Sequence, residues 1–248
     1  MLGQVARRYL MWFYNRADAA FVFSQRTRRG LIDFGVEEAR ISVLPVTVNP
    51  DHFNPQLGSP SVFRELGIDL EGRPVVLSVG RISEEKNIPV IAEAVGRVQQ
   101  ERFRPVLVVV GEGPELAALK ARFAAEPYVH FVGLQRGERL RRLYASAHAF
   151  AFASRVDTLG LVNLEAMASG VPVLLPSDAG ATDMAKDGVS AEFYPFGADG
   201  LTSAIRRVLG DPEYANRLAV NARLAMVDRW TNHPFSALWD SFTRPSPS

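Results

Sequence analysis

Two acidic residues, Asp157 and Glu165, flank a glycine in the stretch VDTLGLVNLEAMASG. The glycine, Gly160, lies between an apolar run typical of a β-strand and an apolar run typical of a helix. Glycine at such a junction lets a ligand approach the backbone closely and leaves the first helical N–H groups free for an anion. Glu165, about one turn into the helix, is placed to accept hydrogen bonds from a vicinal diol such as that of a ribose, and Asp157 could reach a second hydroxylated group. For each acid alone the better interpretation is a solvated loop carboxylate or a glutamate that favours the helix dipole.

Two basic residues, Arg81 and Lys86, follow another apolar run in the stretch VGRISEEKN. A guanidinium and an ammonium group that leave one strand end together suit a polyanion such as a diphosphate. The alternative is that both cations pair with Glu84 and Glu85 on the surface, and this stretch alone favours that alternative. A third stretch, VVVGEGPEL, predicts a strand, a glycine turn and a helix start, which suits either a phosphate or a tight turn without a ligand.

From residue 74 onward, short β-branched runs alternate with helical segments. The predicted strands are PVVLSVG, RPVLVVVG, YVHFVG, HAFAFAS and VPVLLPS, and the predicted helices are NIPVIAEAVGRVQQ, PELAALKARFAA, GERLRRLYASA and GLVNLEAMAS. Strands that are apolar throughout and alternate with helices indicate an α/β fold with a Rossmann-like parallel sheet and helices on both faces. Ligands of such sheets bind at the carboxyl ends of the strands. The two acids and two cations together therefore favour a nucleoside diphosphate that carries a polyhydroxylated group.

The two ends of the chain have a different pattern. In the first 60 residues, DAAFVFS and ISVLPV predict two strands with the helix QRTRRGLIDFG between them, and VNPDHFNPQLGSP predicts a linker. Two strands and one helix make a poor domain, because an isolated strand pair is marginally stable. After residue 197 we expect helices in DGLTSAIRRVLG, PEYANRLAVNARLAMVDRW and PFSALWDSF.

The composition excludes several classes of protein. The 248 residues carry a net charge of +1, which favours neither nucleic acid nor a strongly acidic partner. Cysteine is absent, which excludes disulfides and thiolate metal sites, and the four histidines have no metal-ligand spacing. Because the sequence contains neither a signal-peptide pattern nor an apolar run of ~20 residues, we expect a cytoplasmic protein without a membrane span.

Four segments in this order and spacing, VGRISEEKN, LVVVGEGPEL, VHFVGLQRGERLRRLYASAHAFAFAS and DTLGLVNLEAMASGVPVL, resemble the donor-binding domain of retaining glycosyltransferases of family 4. The resemblance implies the GT-B fold, a nucleotide-diphosphate sugar as donor substrate, transfer with retention of configuration, and no cofactor or metal. It also implies that the diphosphate binds Arg81 and Lys86, that the ribose binds Glu165, and that the transferred sugar contacts Asp157.

The resemblance assigns a catalytic role to Arg81, Lys86 and Asp157. No side-chain nucleophile is expected, and positive charge would stabilise the departing diphosphate. The full set of residues implied for donor binding is Arg81, Lys86, Leu134, Asp157, Thr158, Leu159, Gly160, Leu161, Val162 and Glu165.

The chain departs from the family pattern at three places. Asp157 stands where the family usually has glutamate, and its shorter side chain alters the expected contact with the sugar. In LPSDAGATDM, which stands at a GG-I-P-E loop of the family, Ala179 replaces the first glycine while Gly180 and Asp183 match. The third departure is the largest, because residues 1–56 resemble only the last part of the amino-terminal acceptor domain and its linker. No acceptor-site residue can be assigned.

We therefore expect three parts: residues 1–56 as a remnant of the acceptor domain with its linker, residues 57–230 as the donor-binding domain, and residues 231–248 as a carboxy-terminal helix and tail. Apolar surface exposed in the first part would favour self-association or a partner domain. The main hypothesis is a glycosyltransferase, or its donor-binding part, that acts on a glycan or lipid acceptor. The alternatives are a nucleotide-sugar-binding module that is inactive alone and another GT-B enzyme, such as an epimerase or a phosphorylase.

Arg136, Arg139 and Arg142 recur at every third position and could share one face of a helix. This spacing is compatible with a protein that is peripheral to a membrane. A solvated basic face is the better interpretation, because three arginines are a small signal.

Overall fold

The structure, a computed structural model, describes residues 2–44, 46–157 and 160–231. Its first part is a small unit of two helices and two strands. These elements are α1 (Leu2–Arg16), β1 (Ala20–Val22), α2 (Gln25–Asp33) and β2 (Ile41–Val43). The two strands are parallel, with Ala20 opposite Ile41, and a core of four buried residues lies between them and the helices. The strands and α2 were predicted, whereas α1 was expected only as an apolar opening segment.

The amino-terminal unit exposes large apolar side chains, as the sequence predicts. Tyr9, Trp12 and Phe13 on α1 are 61%, 54% and 53% exposed, and Phe23 beyond β1 is 53% exposed. Two strands and two helices do not supply enough neighbours to cover these rings. Whether they mediate self-association stays a prediction.

The main sheet has six strands, which are all parallel and follow the order β5-β4-β3-β6-β7-β8. They are β3 (Val75–Val79), β4 (Val106–Val110), β5 (Val129–Phe131), β6 (Ala149–Ala151), β7 (Val173–Pro176) and β8 (Glu192–Tyr194). The first five were predicted from their apolar runs. The edge strand β8 was not, because three residues with a polar first position give little periodic signal.

Helices cover both faces of this sheet, which confirms the predicted fold class. They are α3 (Ser61–Arg64), α4 (Ile88–Arg97), α5 (Leu116–Arg122), α6 (Gly137–Ala145), α7 (Leu161–Ala168), α8 (Ala198–Gly210) and α9 (Pro212–Thr231). Successive residues of β3 point into two different cores. Val75 and Leu77 pack with α6 and α7 on one face, whereas Val76 packs with α4 and α8 on the other. The predicted helix PFSALWDSF lies outside the described residues.

An arginine on α9 connects the linker to the end of α7. Arg223 on α9 donates hydrogen bonds from Nη1 to the carbonyl oxygens of Pro50 and Phe53, at 2.9 and 2.7 Å, and to that of Ala168 at the end of α7. The ring of Phe53 packs edge-on against Tyr144, with 5.9 Å between ring centroids. The linker therefore contributes to the same core as α6 and α7.

The three arginines at every third position do not form one solvated face. Arg136 precedes α6, and Arg142 is largely buried in a salt bridge with Glu65, at 2.7 Å, with a further hydrogen bond to Ser61. Arg136 and Arg139 are exposed, and so the prediction of a solvated basic face is wrong for Arg142 only. No helix in the described ranges is both long enough and apolar enough to span a membrane.

Candidate functional site

Arg81 and Lys86 lie at the carboxyl end of β3, where the sheet opens to solvent. Lys86 ends a short 3₁₀ turn, and Asn87 follows in the left-handed region with φ 50°. The Asn87 side chain donates to the carbonyl oxygen of Ala153 beyond β6, at 3.0 Å. This bond fixes the turn against the neighbouring strand end and directs the lysine toward it.

Lys86 pairs with Asp157 rather than with its glutamate neighbours. Its ammonium group forms a salt bridge with Asp157 Oδ2, and both side chains are about three-quarters buried, with 21% and 24% exposed. The ammonium also lies 5.9 Å from the centroid of the Phe152 ring, within cation–π range. Glu85 instead accepts a hydrogen bond from Ser83 at 2.6 Å, which lowers the pKa of Glu85. The alternative of surface pairing is thus not observed for Lys86.

Arg81 remains available for a ligand. Its side chain is exposed, and within the described residues it makes no salt bridge or hydrogen bond, although its charge is one of the smaller causes of the lowered pKa of Glu85. The structure therefore presents one free guanidinium group and one paired ammonium group at the end of β3.

Gly160 forms the start of α7, as predicted. It adopts φ 58° and ψ 67°, a left-handed conformation that side chains disfavour. A Cβ at this position would lie 2.4 Å from Asn163 Nδ2 and 3.3 Å from the Phe152 ring. Glycine is therefore required both by conformation and by space. Within the described residues no side chain caps the helix. The backbone N of Asn163 donates to the carbonyl oxygen of Gly160 at 2.8 Å, which leaves the N–H groups of Leu161 and Val162 as the candidates for binding an anion.

The other predicted donor residues around α7 have different surroundings. Leu161 is 48% exposed at the helix start, and Val162 packs partly into the core. Leu134 follows β5 and is 45% exposed beside Gly133, whose carbonyl oxygen accepts from Gly111 N at 2.9 Å. Two predicted residues, Thr158 and Leu159, lie outside the described residues.

Glu165 is fixed by a buried tyrosine. The Tyr144 hydroxyl donates a hydrogen bond to Glu165 Oε2 at 2.7 Å, and Tyr144 is fully buried. Burial raises the pKa of Glu165, while the hydrogen bond from Tyr144 acts in the opposite direction. Within the described residues, no second hydrogen bond to this carboxylate is formed, and so its other oxygen can accept from a ligand.

The glycines of VVVGEGPEL serve close backbone packing. A Cβ on Gly111 would lie 1.9 Å from the carbonyl oxygen of Gly80, and one on Gly113 would lie 2.1 Å from that of Ile82. The loops after β3 and β4 therefore touch through their backbones. This supports the tight-turn interpretation, because the close contacts of both glycines are with the backbone of the neighbouring loop.

The loop after β7 is held by the amino-terminal unit. Asp183 accepts a hydrogen bond from the backbone N of Arg26 at 2.8 Å, and the Arg26 guanidinium donates to the carbonyl oxygen of Asp178. The Asp178 carboxylate also accepts from Arg155 Nε at 2.6 Å. Ala179, at the position of the family's first glycine, is buried. The matching acid of this loop is therefore occupied by a contact within the chain.

Two residues at the site were not predicted. Tyr144 contacts Glu165 from a different helix. Asn163 is 1% exposed, and neither of its side-chain polar atoms is hydrogen bonded to a residue that the structure describes. The sequence does carry a signal for Asn163, because it is a polar residue within the apolar run LVNLEAMA. Tyr144 has no such signal. Among the residues that the structure describes, no group of three or more histidines or acids is placed to hold a metal ion.

A sequence model described as "Glycosyl transferases group 1" matches residues 63–225. The chain belongs to this family. The match includes all five strands that were predicted for the sheet, and it includes Arg81, Lys86, Asp157 and Glu165.

Characterised relatives are similar over most of this chain. A sulfoquinovosyl transferase of Arabidopsis thaliana is 28% identical over 86% of the chain and 42% of its own length. A GDP-mannose-dependent α-(1-6)-phosphatidylinositol monomannoside mannosyltransferase of Mycolicibacterium smegmatis is 30% identical over 91% of the chain and 62% of its own length. The chain thus spans about half the length of these relatives.

Solved structures share the fold. HepE of Anabaena in complex with UDP-glucose superposes with a TM-score of 0.81 at 22% identity, covering 96% of this chain and 68% of that one. The carboxy-terminal domain of LpcC from Francisella tularensis superposes with a TM-score of 0.64 at 20% identity, covering 74% of this chain and 98% of that domain. At these identities the similarity establishes the fold alone.

Proposed function

We propose that this chain binds a nucleoside diphosphate sugar and forms the donor-binding part of a glycosyltransferase that transfers the sugar with retention of configuration. The observation that carries the proposal is the contact between Lys86 and Asp157 at the start of α7. It brings a cation from the end of β3 and an acid from the end of β6 to one place. Glu165 lies one helical turn away from Gly160.

The assignment of each side chain follows from charge and position. The free guanidinium of Arg81 and the ammonium of Lys86 face a diphosphate, together with the uncapped N–H groups of α7. Glu165 accepts hydrogen bonds from the ribose hydroxyls. Asp157 orients the sugar. HepE was solved with UDP-glucose, which supports a donor of this class.

The catalytic contribution of this part is electrostatic. Breaking the bond between sugar and diphosphate leaves negative charge on the diphosphate oxygen. Preorganised cations at that oxygen stabilise the charge as it develops. Arg81 and Lys86 supply this charge in the proposal, and binding therefore requires no metal ion. Retention of configuration is inferred from the resemblance to the family. No described side chain is assigned as a nucleophile.

A second candidate function is nucleotide-sugar binding without transfer by this chain alone. It is favoured by one observation, namely that the chain spans 42% and 62% of the length of the two relatives above. Acceptor specificity is then determined outside the described residues. The name of the Mycolicibacterium smegmatis mannosyltransferase includes a phosphatidylinositol monomannoside, which makes a lipid acceptor the first to test.

The proposal is tested by calorimetry with UDP, GDP, ADP and their sugars in the presence of a chelator. We expect one base to bind, and Arg81→Ala to weaken that binding by about 10- to 150-fold, because charge-assisted hydrogen bonds contribute about 1.5–3 kcal/mol. The matched control is Arg102→Ala, since Arg102 is an exposed arginine that precedes β4, on the side of the amino-terminal ends of the strands and away from the proposed site. If no nucleoside diphosphate binds, or if the two variants bind equally well, the proposal is wrong.

A further inference from the structure

The side chain of Tyr144 is held in place on several sides. Its ring packs edge-on against Phe53, with a centroid distance of 5.9 Å, and is tilted against Phe150 at 5.6 Å. Its hydroxyl reaches Glu165 at 2.7 Å. A ring fixed by two aromatic neighbours has little rotamer freedom, and so the hydroxyl keeps one direction.

The hydrogen bond acts on the ionisation and the orientation of Glu165 together. Burial and the nearby carboxylate raise the pKa of Tyr144 well above its ordinary value, and the hydroxyl therefore remains a donor throughout the neutral range. A donor to a buried carboxylate favours its charged form, which offsets part of the pKa increase that burial causes at Glu165. Oε2 accepts this bond, and so Oε1, which accepts none within the described residues, is the more available oxygen for a ligand.

We propose that Tyr144 is a positioning residue for ribose recognition: it holds the Glu165 carboxylate with one oxygen directed at the ribose hydroxyls of the donor. This inference rests on the proposed function, which assigns Glu165 to the ribose. Tyr144 itself is fully buried and does not contact the nucleotide. Its effect must therefore pass through Glu165 and must disappear for a ligand without ribose hydroxyls.

The test uses the full chain and Tyr144→Phe, which keeps the ring and its packing but removes the hydroxyl. Affinity is measured for the nucleoside diphosphate that the parent binds best among UDP, GDP and ADP, and for its 2′,3′-dideoxy counterpart. We expect about a tenfold loss for the first ligand, since one hydrogen bond to a buried carboxylate becomes weaker or misdirected. We expect no change for the dideoxy ligand.

A pH series gives a second readout that a purely structural role would not change. Loss of the hydroxyl raises the pKa of Glu165 further, and a protonated Glu165 accepts hydrogen bonds poorly. Affinity for the ribose ligand should therefore fall at a higher pH in Tyr144→Phe than in the parent as the solution is acidified. The diphosphate itself titrates at about pH 6 and contributes a pH dependence that all variants share. Glu165→Gln, which has no charge to lose, should show only this shared dependence and little preference for the ribose ligand.

The matched control is Tyr214→Phe. Tyr214 donates to Glu192 in a second buried tyrosine–glutamate pair, on α9 and β8, away from α7. Loss of the Tyr214 hydroxyl should leave the affinities for the ribose and dideoxy ligands unchanged.

Two results with Tyr144→Phe would overturn the positioning role while leaving the proposed function intact. One is an equal loss of affinity for the ribose and dideoxy ligands, and the other is an unchanged affinity for the ribose ligand. If Tyr144→Phe does not fold, a Glu165→Gln variant that still discriminates against the dideoxy ligand overturns it. Failure of the parent to bind any nucleoside diphosphate would overturn the proposed function and this inference together.

Discussion

The Lys86 ammonium and the Asp157 carboxylate form a salt bridge, although 71 residues separate them in the sequence. The proposed function assigns Lys86 to the diphosphate and Asp157 to the sugar. The structure therefore pairs a proposed diphosphate-binding cation with the proposed sugar-binding acid. Under the proposal, a nucleotide sugar would replace this salt bridge with one contact between Lys86 and the diphosphate and one contact between Asp157 and the sugar.

Asp157→Ala should separate the two halves of the donor. Removal of the acid frees Lys86, and plain nucleoside diphosphate should bind at least as tightly as it binds to the parent. The nucleotide sugar should bind about tenfold more weakly than to the parent, because a hydrogen bond to the sugar is lost. Titration calorimetry with both ligands measures this, with Asp199→Ala as the control, since Asp199 pairs with Arg97 on the surface. Equal losses for both ligands would contradict this division of roles.

Gly160→Ala should lower the free energy of unfolding by more than the unfavourable backbone conformation alone would. An alanine at φ 58° costs about 1–2 kcal/mol, and here its Cβ would also collide with Asn163 and Phe152. Gly67→Ala is the matched control, because Gly67 has φ 77° and no atom within 4 Å of the added Cβ. Chemical denaturation should give a larger loss of stability for Gly160→Ala than for Gly67→Ala. If Gly160→Ala loses no more stability than Gly67→Ala does, then α7 can shift to accommodate the added Cβ with little loss of stability.

Asn163→Val should stabilise the fold. Both polar atoms of this buried amide lack a partner in the described residues, and such a group costs about 1–3 kcal/mol. Replacing it with an apolar side chain removes that cost, and the free energy of unfolding should rise by about 1 kcal/mol or more. Asn221→Val is the contrast, because the Asn221 amide donates to the carbonyl oxygen of Val189 at 3.0 Å and its loss should destabilise. If Asn163→Val is the less stable of the two variants, the Asn163 amide stabilises the fold and the prediction is wrong.

Stability should fall as the pH drops below about 6.5, partly through His148. Its Nδ1 accepts a hydrogen bond from the backbone N of Val75 at 3.1 Å, which requires the neutral ring, and burial lowers the pKa of His148. Because the unfolded chain protonates this histidine first, acidification from pH 6.5 through the lowered pKa of the folded state favours unfolding. Denaturation at pH 7.5 and pH 5.5 should show a smaller pH-dependent loss for His148→Gln than for the parent. An equal loss would assign the effect to other groups, such as His130, whose pKa is also lowered.

Much of the architecture could be predicted from the sequence, because apolar runs and helical periodicity indicate which residues of each strand or helix are buried. The five strands from Val75 to Pro176 and the glycine at the start of α7 follow from such local patterns. The pairing of Lys86 with Asp157 could not be predicted in this way. This pairing depends on the order of the strands, in which β3 and β6 are neighbours, and a local sequence pattern does not indicate strand order. Tyr144 was missed for a similar reason, since its hydroxyl reaches Glu165 only after α6 and α7 have packed.

The three carbonyl oxygens that Arg223 binds belong to segments made long before it during synthesis. Pro50 and Phe53 precede it by 173 and 170 residues, and Ala168 precedes it by 55. Contacts of such high sequence separation form late, because the intervening chain must first become compact. On the ribosome, the helix that carries Glu165 therefore remains without its anchor until α9 has emerged. A nascent chain that stops before Arg223 would display the sheet and both cations, yet it would hold Glu165, the acid proposed to bind the ribose, on a loosely packed helix.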